Sequence, residues 1–273
     1  AYELQRSWMN AASTWASVGA ELLGNPALPF GYGPGGNMMA SALEVFAHAS
    51  AAYGKPAFDI ESVEVDGVSH PVTEAIVLHK PFGNLLRFTH TGLPKNAPRL
   101  LIVAPMSGHF ATLLRGTVET LLRDHDVYIA DWTNARDVPV SAGAFGVDDY
   151  VDYLIRFIEE IGPGAHVLSV CQPCVQTLAA VAIMSEEKHH ATPRSMTLMA
   201  GPIDPRESPT EVNEFAVAKS LSWFKSSVIS RVPWRYKGGG RKVYPGFLQL
   251  TAFMAMNMDR HKAAHKKLYE HLA

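Results

Sequence analysis

The sequence predicts an α/β fold, with a mainly parallel sheet and helices on both of its faces. Apolar, strand-like runs alternate with helix-like segments from Arg99 onward, which is typical of parallel strands joined by right-handed crossovers. With 273 residues, of which 47% are hydrophobic, the chain is long enough to bury a full core. The strands are expected at 99–105, 126–132, 166–170 and 195–204, and the helices at 109–125, 147–162 and 175–184.

Residues 1–55 are expected to form an N-terminal helical appendage, which a loop rich in glycine and proline interrupts between residues 25 and 36. Apolar residues recur there at helical spacing and predict a face that packs on the main domain; contact with a partner is the alternative. These residues are Leu4, Trp8, Ala11, Ala12, Trp15, Val18 and Leu22. Residues 56–204 are assigned to the core of the α/β domain and residues 205–273 to a helical cap.

Antiparallel strands are predicted ahead of the parallel part of the sheet. Between Ile60 and Thr89 the sequence alternates polar and apolar residues in short runs, with turns expected at Asp66-Gly67 and Phe82-Gly83. These strands would form one edge of the sheet.

Composition and charge restrict the partners of the chain. The formal net charge is −2, and the basic residues do not cluster with aromatic ones, so nucleic acid is not expected as a partner. No run of about eighteen apolar residues predicts a transmembrane segment. Two cysteines three positions apart cannot form a disulfide framework. A soluble, cytoplasmic protein is therefore expected. A homo-oligomer is left open, and no metal or organic cofactor is implied.

The stretch from His166 to Met184 carries the main functional signal. Its first residues form the short apolar run of a buried strand, its last ten form an apolar helix, and Cys171 falls on the turn between them. A sharp strand-to-helix turn with small flanking residues is the setting of a nucleophile elbow, and Ser169 and Pro173 hold those flanking positions. The positive end of the helix favours the thiolate form of Cys171, which is the form that attacks carbonyl carbon.

Other interpretations of the two cysteines stay open at this point. Free cysteines are commonly inert, buried packing residues, and Cys174 is expected to be one. Cys171 and Cys174 also form a C-x-x-C pair at a helix start, as in thiol-disulfide oxidoreductases. A structural zinc site is disfavoured because the sequence has no second cysteine pair.

The carboxyl ends of three predicted strands bring further candidates toward the same rim of the sheet. The loop 105–109 follows the first parallel strand, Asp131 and Trp132 end the second, and Cys171 follows the third. In a nucleophile-elbow enzyme of the α/β-hydrolase type, backbone N–H groups after the first strand and after the nucleophile bind the oxyanion. Met106, Ser107 and Gln172 occupy those positions.

Seven segments along the chain carry a family resemblance: AFDI (57–60), APMSGHFATLLRGTV (104–118), DVYIADW (126–132), VPVSAGAF (138–145), SVCQP (169–173), GPIDPRESPTEVN (201–213) and VYPGFLQ (243–249). Together they resemble the intracellular poly(3-hydroxybutyrate) depolymerases, a family similar to the α/β-hydrolases. The resemblance implies an α/β-hydrolase-type fold in which the cysteine of a V-C-Q-P segment, here Cys171, replaces the usual serine nucleophile. The related polyhydroxyalkanoate synthases carry their cysteine in a glycine-flanked box, which the Gln172-Pro173 pair disfavours.

The resemblance also implies a general base and an orienting carboxylate after the last strands of the sheet. Beyond residue 204 the sequence is mainly helical, so we expect the last strands to be missing and the chain to end within the cap. His109 is then the candidate substitute base, and Asp131 and Asp204 are candidate substitute acids, although such carboxylates commonly cap helices. Three further histidines, expected to be solvated on a basic helix, are His261, His265 and His271.

The function implied by the resemblance is hydrolysis of the ester bonds of stored poly(3-hydroxybutyrate) to 3-hydroxybutyrate oligomers. The expected partner is the polymer at the surface of cytoplasmic storage granules. Three alternatives stay open: an acyltransferase similar to the polyhydroxyalkanoate synthases, a thiol-disulfide oxidoreductase, and a non-catalytic granule-binding protein. An apolar and aromatic set in the cap either packs on the core or meets the granule. It comprises Trp223, Phe224, Val228, Val232, Trp234, Tyr236, Tyr244, Phe247, Leu248, Phe253 and Met254.

Overall fold

The structure, a computed structural model, describes residues 2–25, 39–44, 46–47, 54–106, 110–246 and 249. It separates into two compact units, of which one is Pro56–Leu250 and the other contains residues 2–25, 39–44 and 46–47. Among the described helices, none is both long and apolar enough to cross a lipid bilayer.

The larger unit is organised around a seven-stranded sheet in the order β1-β2-β3-β5-β4-β6-β7. β3 runs antiparallel to β2 and β5, whereas β4, β5, β6 and β7 run parallel to one another. The strands are β1 (Ser62–Val65), β2 (Val68–Lys80), β3 (Gly83–His90), β4 (Arg99–Val103), β5 (Asp126–Trp132), β6 (His166–Val170) and β7 (Ser195–Met199). In the described sheet β7 is the terminal strand, next to β6.

The helices of both units are short, apart from the first. They are α1 (Tyr2–Gly24), α2 (Arg115–Leu121), α3 (Val147–Ile161), α4 (Cys174–Glu186), α5 (Glu211–Ala218) and α6 (Leu221–Ser227), and residues 39–44 and 46–47 are also helical. α3 could be predicted from the sequence because its buried residues recur at helical spacing along one face. The helix ends where Gly162 takes a φ of 86°, a left-handed value that favours glycine.

Two apolar clusters lie on opposite faces of the sheet. Leu101 and Val103 of β4 point to the cluster that contains Trp132, Leu154 of α3 and Met184 of α4. Their neighbour on β4, Ile102, belongs with Phe88, Ile129 and Val118 of α2 in the second cluster, because side chains alternate across a strand. Helices therefore cover both faces of a mainly parallel sheet, and the predicted fold class is confirmed.

The first antiparallel turn has the predicted position and the second is displaced by one residue. Asp66 and Gly67 link β1 to β2 with φ values of 50° and 78°, as a tight hairpin turn requires. Lys80 pairs with Gly83, so the second turn is Pro81-Phe82 and not Phe82-Gly83. Gly83 instead begins β3 beside Trp132, where an added Cβ would come within 2.9 Å of the indole ring.

Several predicted elements are longer than the observed ones. The helix expected at 109–125 is a 3-10 turn, Ala111–Leu114, followed by the seven-residue α2. The strand expected at 99–105 ends at Val103, ahead of Pro105, which lacks the N–H that a sheet needs. The strand expected at 195–204 ends at Met199, because Ala200 takes a φ of 52° and turns the chain out of the sheet.

Most of the predicted apolar face of α1 is exposed. Its members Trp8, Trp15, Val18 and Leu22 are exposed, and among the described side chains of this helix the buried ones are Ser13, Ala16 and Ala20. The hydroxyl of Ser13 donates to the carbonyl oxygen of Ala47 at 3.0 Å, and an added Cβ on Gly19 would lie 3.0 Å from Leu43. Two helical segments therefore approach through small residues, a contact that a search for large apolar residues cannot detect. The side chain of Leu4 lies outside the described residues.

The segment after β7 is expected to be mainly helical, and the structure shows strands in it as well. Besides α5 and α6 it contains a two-stranded ladder of β8 (Ser230–Arg231) and β9 (Lys242–Val243). Arg241 attaches this ladder to the loop after β5, since its guanidinium donates to the carbonyl oxygens of Gly143 and Pro139, each at 2.7 Å. The described part of the predicted cap is thus tied to the loop that follows the sheet's second parallel strand.

Candidate active site

Cys171 sits on a sharp turn at the carboxyl edge of the parallel strands. It follows β6 directly and has a φ of 65°, a left-handed conformation that is uncommon for a residue other than glycine. Such a conformation costs about 1–3 kcal/mol and persists only where the surroundings fix it. Here the N–H of Cys171 donates to the carbonyl oxygen of Met199 at 2.8 Å, and its own carbonyl oxygen accepts from the N–H of Cys174 at 3.1 Å.

The flanking residues let α4 come close to β6 behind this turn. Ser169 is fully buried, and its hydroxyl oxygen accepts a hydrogen bond of 3.1 Å from the hydroxyl of Thr177 on α4. Pro173 precedes the first residue of α4, where its missing N–H leaves no donor without a partner. The helix therefore begins three residues after Cys171, with its positive end next to the turn.

The two cysteines lie in different environments. Both are free thiols, but Cys171 is half-buried whereas Cys174 is fully buried. The thiol of Cys174 lies 3.4 Å from the carbonyl oxygen of Ser169 and 3.6 Å from that of Met199. Gly201 covers it so closely that an added Cβ would lie 2.1 Å from the Cβ of Cys174. These contacts agree with a packing role for Cys174.

The side chain of Gln172 joins the turn at Cys171 to the loop after β4. The sequence predicted a role only for the backbone N–H of this residue. The backbone N–H of Met106 donates to Oε1 of Gln172 at 3.1 Å. One step earlier in this loop, the carbonyl oxygen of Ala104 accepts from the indole N–H of Trp132 at 2.9 Å. Met106 and Gln172 are thus in contact, and the Met106 N–H is bonded to a side chain; their role in binding an oxyanion stays a prediction. Ser107 and His109 lie outside the described residues.

Trp132 forms the wall of the site beneath this loop. It is buried and packs against Tyr150 of α3, with ring centroids 4.4 Å apart. Its ring also lies 6.1 Å from that of Phe145 and 6.1 Å from that of Phe157. Burial raises the pKa of Tyr150 far above its ordinary value, so its phenol stays neutral. The aromatic cluster makes a rigid, dry support for the carbonyl of Ala104.

The candidate acids have different surroundings. Asp131, at the end of β5, is buried with 3% of its surface exposed. Asp204 is bound to its near neighbour Arg206, whose guanidinium donates to the carboxylate at 2.8 and 2.6 Å. These hydrogen bonds lower the pKa of Asp204 and hold it in a local turn. His261, His265 and His271 lie outside the described residues.

A cavity of about 730 Å³ lies at the opposite edge of the sheet. Its lining includes Arg99, Asp126 and His166, which begin β4, β5 and β6, whereas Cys171 follows the carboxyl end of β6. Arg87 and Asp126 form a two-pronged ion pair there, with both hydrogen bonds at 2.9 Å. This cavity is therefore separate from the candidate active site.

Residues 200–273 match the family model described as PHB de-polymerase C-terminus. The C-terminal part of the chain is therefore similar to this depolymerase family. The resemblance predicted from the sequence is thereby confirmed, and the matched segment includes the GPIDPRESPTEVN stretch. Among curated proteins, none matches the chain.

Three solved structures are similar to this chain at low sequence identity. Naproxen esterase (carboxylesterase NP) from Bacillus subtilis is 14% identical, with a TM-score of 0.34 over 46% of this chain and 42% of its own. The 2-hydroxy-6-oxo-6-phenylhexa-2,4-dienoate hydrolase from Rhodococcus sp. strain RHA1 is 13% identical, with a TM-score of 0.38 over 58% and 54%. The bacterial brefeldin A esterase is 14% identical, with a TM-score of 0.38 over 82% and 64%.

The chain spans about half the length of the solved structures it resembles, with 42%, 52% and 44% of three of them covered.

Proposed function

We propose that this protein is a carboxylic ester hydrolase that cleaves poly(3-hydroxybutyrate) through Cys171. The observation that supports it best is the left-handed φ of 65° at Cys171, on a strand-to-helix turn in a chain whose C-terminal part matches the depolymerases. A strained, non-glycine residue at this place is typical of a nucleophile that a sharp turn lifts above the sheet.

The proposed reaction begins with attack of the Cys171 thiolate on the carbonyl carbon of a backbone ester. The C–S bond forms as the π electrons move onto the carbonyl oxygen, and the resulting oxyanion accepts hydrogen bonds from the backbone N–H groups of Gln172 and of Met106 or Ser107. Collapse of this intermediate breaks the C–O bond and leaves a thioester on Cys171, while the released alkoxide takes up a proton. Water then attacks the thioester, releases an oligomer of 3-hydroxybutyrate and restores the thiol.

The described part of the cap offers apolar area for an insoluble polyester. Trp234 is 87% exposed, Val217 88% and Leu221 68%, which is far more than packing residues would be. Val232, in contrast, is buried and belongs to the packing of the cap. Trp234 belongs to the expected set, whereas Val217 and Leu221 do not, and we propose that all three side chains meet the polymer at the granule surface. Four members of the expected set lie outside the described residues: Phe247, Leu248, Phe253 and Met254.

The test is release of 3-hydroxybutyrate from amorphous polymer by the wild-type protein and two matched variants. Cys171→Ala is expected to abolish release, whereas Cys174→Ala, which removes a buried thiol one helical turn away, is expected to retain it. Thiol-disulfide exchange activity that Cys174→Ala abolishes, in a protein that does not hydrolyse the polymer, would favour a thiol-disulfide oxidoreductase. Elongation of a supplied acyl chain in place of hydrolysis would favour the synthase-like acyltransferase.

The granule contact is tested separately with Trp234→Ser and the matched Trp223→Ser. Trp223 is half-buried and packs against Phe224 with ring centroids 5.2 Å apart, so it reports on packing. Trp234→Ser is expected to lower sedimentation with polymer granules more than it lowers hydrolysis of a short soluble ester. An equal loss in both assays would show that Trp234 supports the fold instead. Granule binding by every variant without any hydrolysis would favour the non-catalytic granule-binding protein.

A further inference from the structure

The backbone and the side chain of Gln172 lie in different parts of the candidate site. Its backbone follows Cys171, while its side chain reaches across to the loop after β4 and accepts the N–H of Met106 at 3.1 Å. The two residues are 66 positions apart in sequence, so the contact joins the nucleophile turn to the loop expected to bind the oxyanion. Both residues are half-buried, which weakens competition from water for this hydrogen bond.

The atom that accepts this hydrogen bond resembles the group on which the site would act. The side-chain carbonyl of glutamine is a planar, neutral acceptor, as is the carbonyl of an ester. A backbone N–H held ready for an oxyanion has no partner in an empty site, and a buried donor without a partner costs about 1–3 kcal/mol. Oε1 of Gln172 supplies that partner.

We propose that the Gln172 side chain occupies the oxyanion donor of Met106 in the resting protein and that an ester carbonyl must displace it. This inference rests on the proposed ester hydrolysis. Gln172 then acts in two ways. Its backbone N–H is one of the two proposed oxyanion donors, and its side chain accepts the hydrogen bond of the Met106 N–H until substrate arrives. The loop ahead of Met106 stays in place during the exchange, because the carbonyl of Ala104 is held by the indole of Trp132.

The displacement has a definite kinetic signature. Ester and transition state both have to replace the same hydrogen bond, so removing the internal acceptor favours both relative to the free protein. The net worth of one neutral hydrogen bond corresponds to about a twofold to tenfold change in an equilibrium constant. The second-order rate constant for acylation is therefore expected to rise by about twofold to tenfold when the acceptor is removed. A side chain that served only to hold the loop would give a decrease.

The variant that separates these two roles is Gln172→Met. Methionine keeps the length and unbranched shape of glutamine but has only a weak acceptor, so packing is retained while the hydrogen bond is lost. Gln172→Ala is the second variant, in which the side chain is absent. Gln176→Met is the matched control, because it makes the same replacement four residues later, in the first turn of α4.

Two measurements on the full chain test the proposal. The first is the hydrogen-exchange rate of the Met106 amide followed by NMR, which is expected to increase in Gln172→Met and to stay unchanged in Gln176→Met. The second is the burst of p-nitrophenol from p-nitrophenyl butyrate, from which the acylation constant is obtained. Faster exchange together with faster acylation in both Gln172 variants is the expected result.

Other outcomes overturn the inference. Faster exchange with slower acylation would make the Gln172 side chain a structural latch, and unchanged exchange would show that the contact does not protect Met106. Absence of any p-nitrophenol release by the wild-type protein would refute ester hydrolysis and the displacement with it. In that case the exchange data would still show whether Gln172 and Met106 are joined, so the two failures are distinguishable.

Discussion

Adding a single methyl group at Gly201 should disturb the turn at Cys171. A Cβ added there would lie 2.1 Å from the Cβ of Cys174, 2.5 Å from its sulfur and 3.1 Å from the carbonyl oxygen of Cys171. Two of these neighbours belong to the buried start of α4 and the third to the backbone of the turn, so none of them is the end of a flexible side chain. Gly201→Ala therefore forces backbone movement at the turn itself.

The expected cost lies at the upper end of the range for overpacked cores, about 3 kcal/mol. For a domain of this size that corresponds to a decrease in Tm of about 6–12 °C. Thermal unfolding followed by circular dichroism measures it, with Gly116→Ala as the control. Gly116 has no atom within 4 Å of an added Cβ and lies in α2, where alanine stabilises a helix relative to glycine by about 0.5–1 kcal/mol.

A second substitution at Cys174 tests whether its contact with Gly201 causes the loss of stability. Because the nearest atom is the Cβ of Cys174, Cys174→Gly combined with Gly201→Ala should recover much of the lost stability, whereas Cys174→Ala should recover little. A Gly201→Ala protein as stable as the wild type would refute the close approach of Gly201 to α4.

Three further predictions follow from the described contacts. Under native conditions iodoacetamide should label the half-buried Cys171 faster than the fully buried Cys174, and faster labelling of Cys174 would contradict the site geometry. Trp132→Phe leaves the carbonyl of Ala104 without its indole donor and should cost about 1–3 kcal/mol in urea unfolding, while Trp234→Phe at an exposed position should change stability by less than about 0.5 kcal/mol. Burial and the nearby Asp126 carboxylate raise the pKa of Tyr128 to about 12, so the neutral phenol stabilises the fold fully below about pH 10 and less as the pH rises toward 12. Tyr128→Phe should weaken that loss of stability, and an unchanged pH profile would exclude the contribution.

The elements that could be predicted from the sequence are those whose signal is local. β5 and β6 have their predicted bounds because each is a short apolar run that ends at a turn, and the buried face of α3 follows from its spacing. The turn at Cys171 could be predicted for the same reason, since the strand, turn and helix around it are adjacent in sequence. Its position therefore needed no long-range information, while the role of Cys171 stays a prediction.

The features that the sequence did not predict depend on contacts between distant segments. The bond between Met106 and Gln172 joins residues 66 positions apart, and no local pattern marks a glutamine whose side chain reaches another loop. The buried face of α1 consists of Ser13, Ala16 and Ala20, because two helical segments approach closely and only small residues fit between them. Gly201 did carry a signal, as a glycine just after a strand often marks a close backbone approach.

The proposal that Cys171 is the nucleophile is tested most directly by trapping the acyl group it would carry. The protein is mixed with p-nitrophenyl 3-hydroxybutyrate, quenched in acid and digested, and the peptides that contain Cys171 and Cys174 are sequenced by mass spectrometry. The proposal predicts a 3-hydroxybutyryl thioester on Cys171 that is absent from Cys171→Ala and retained in Cys174→Ala. An adduct on another residue, or hydrolysis at the wild-type rate by Cys171→Ala, would contradict it.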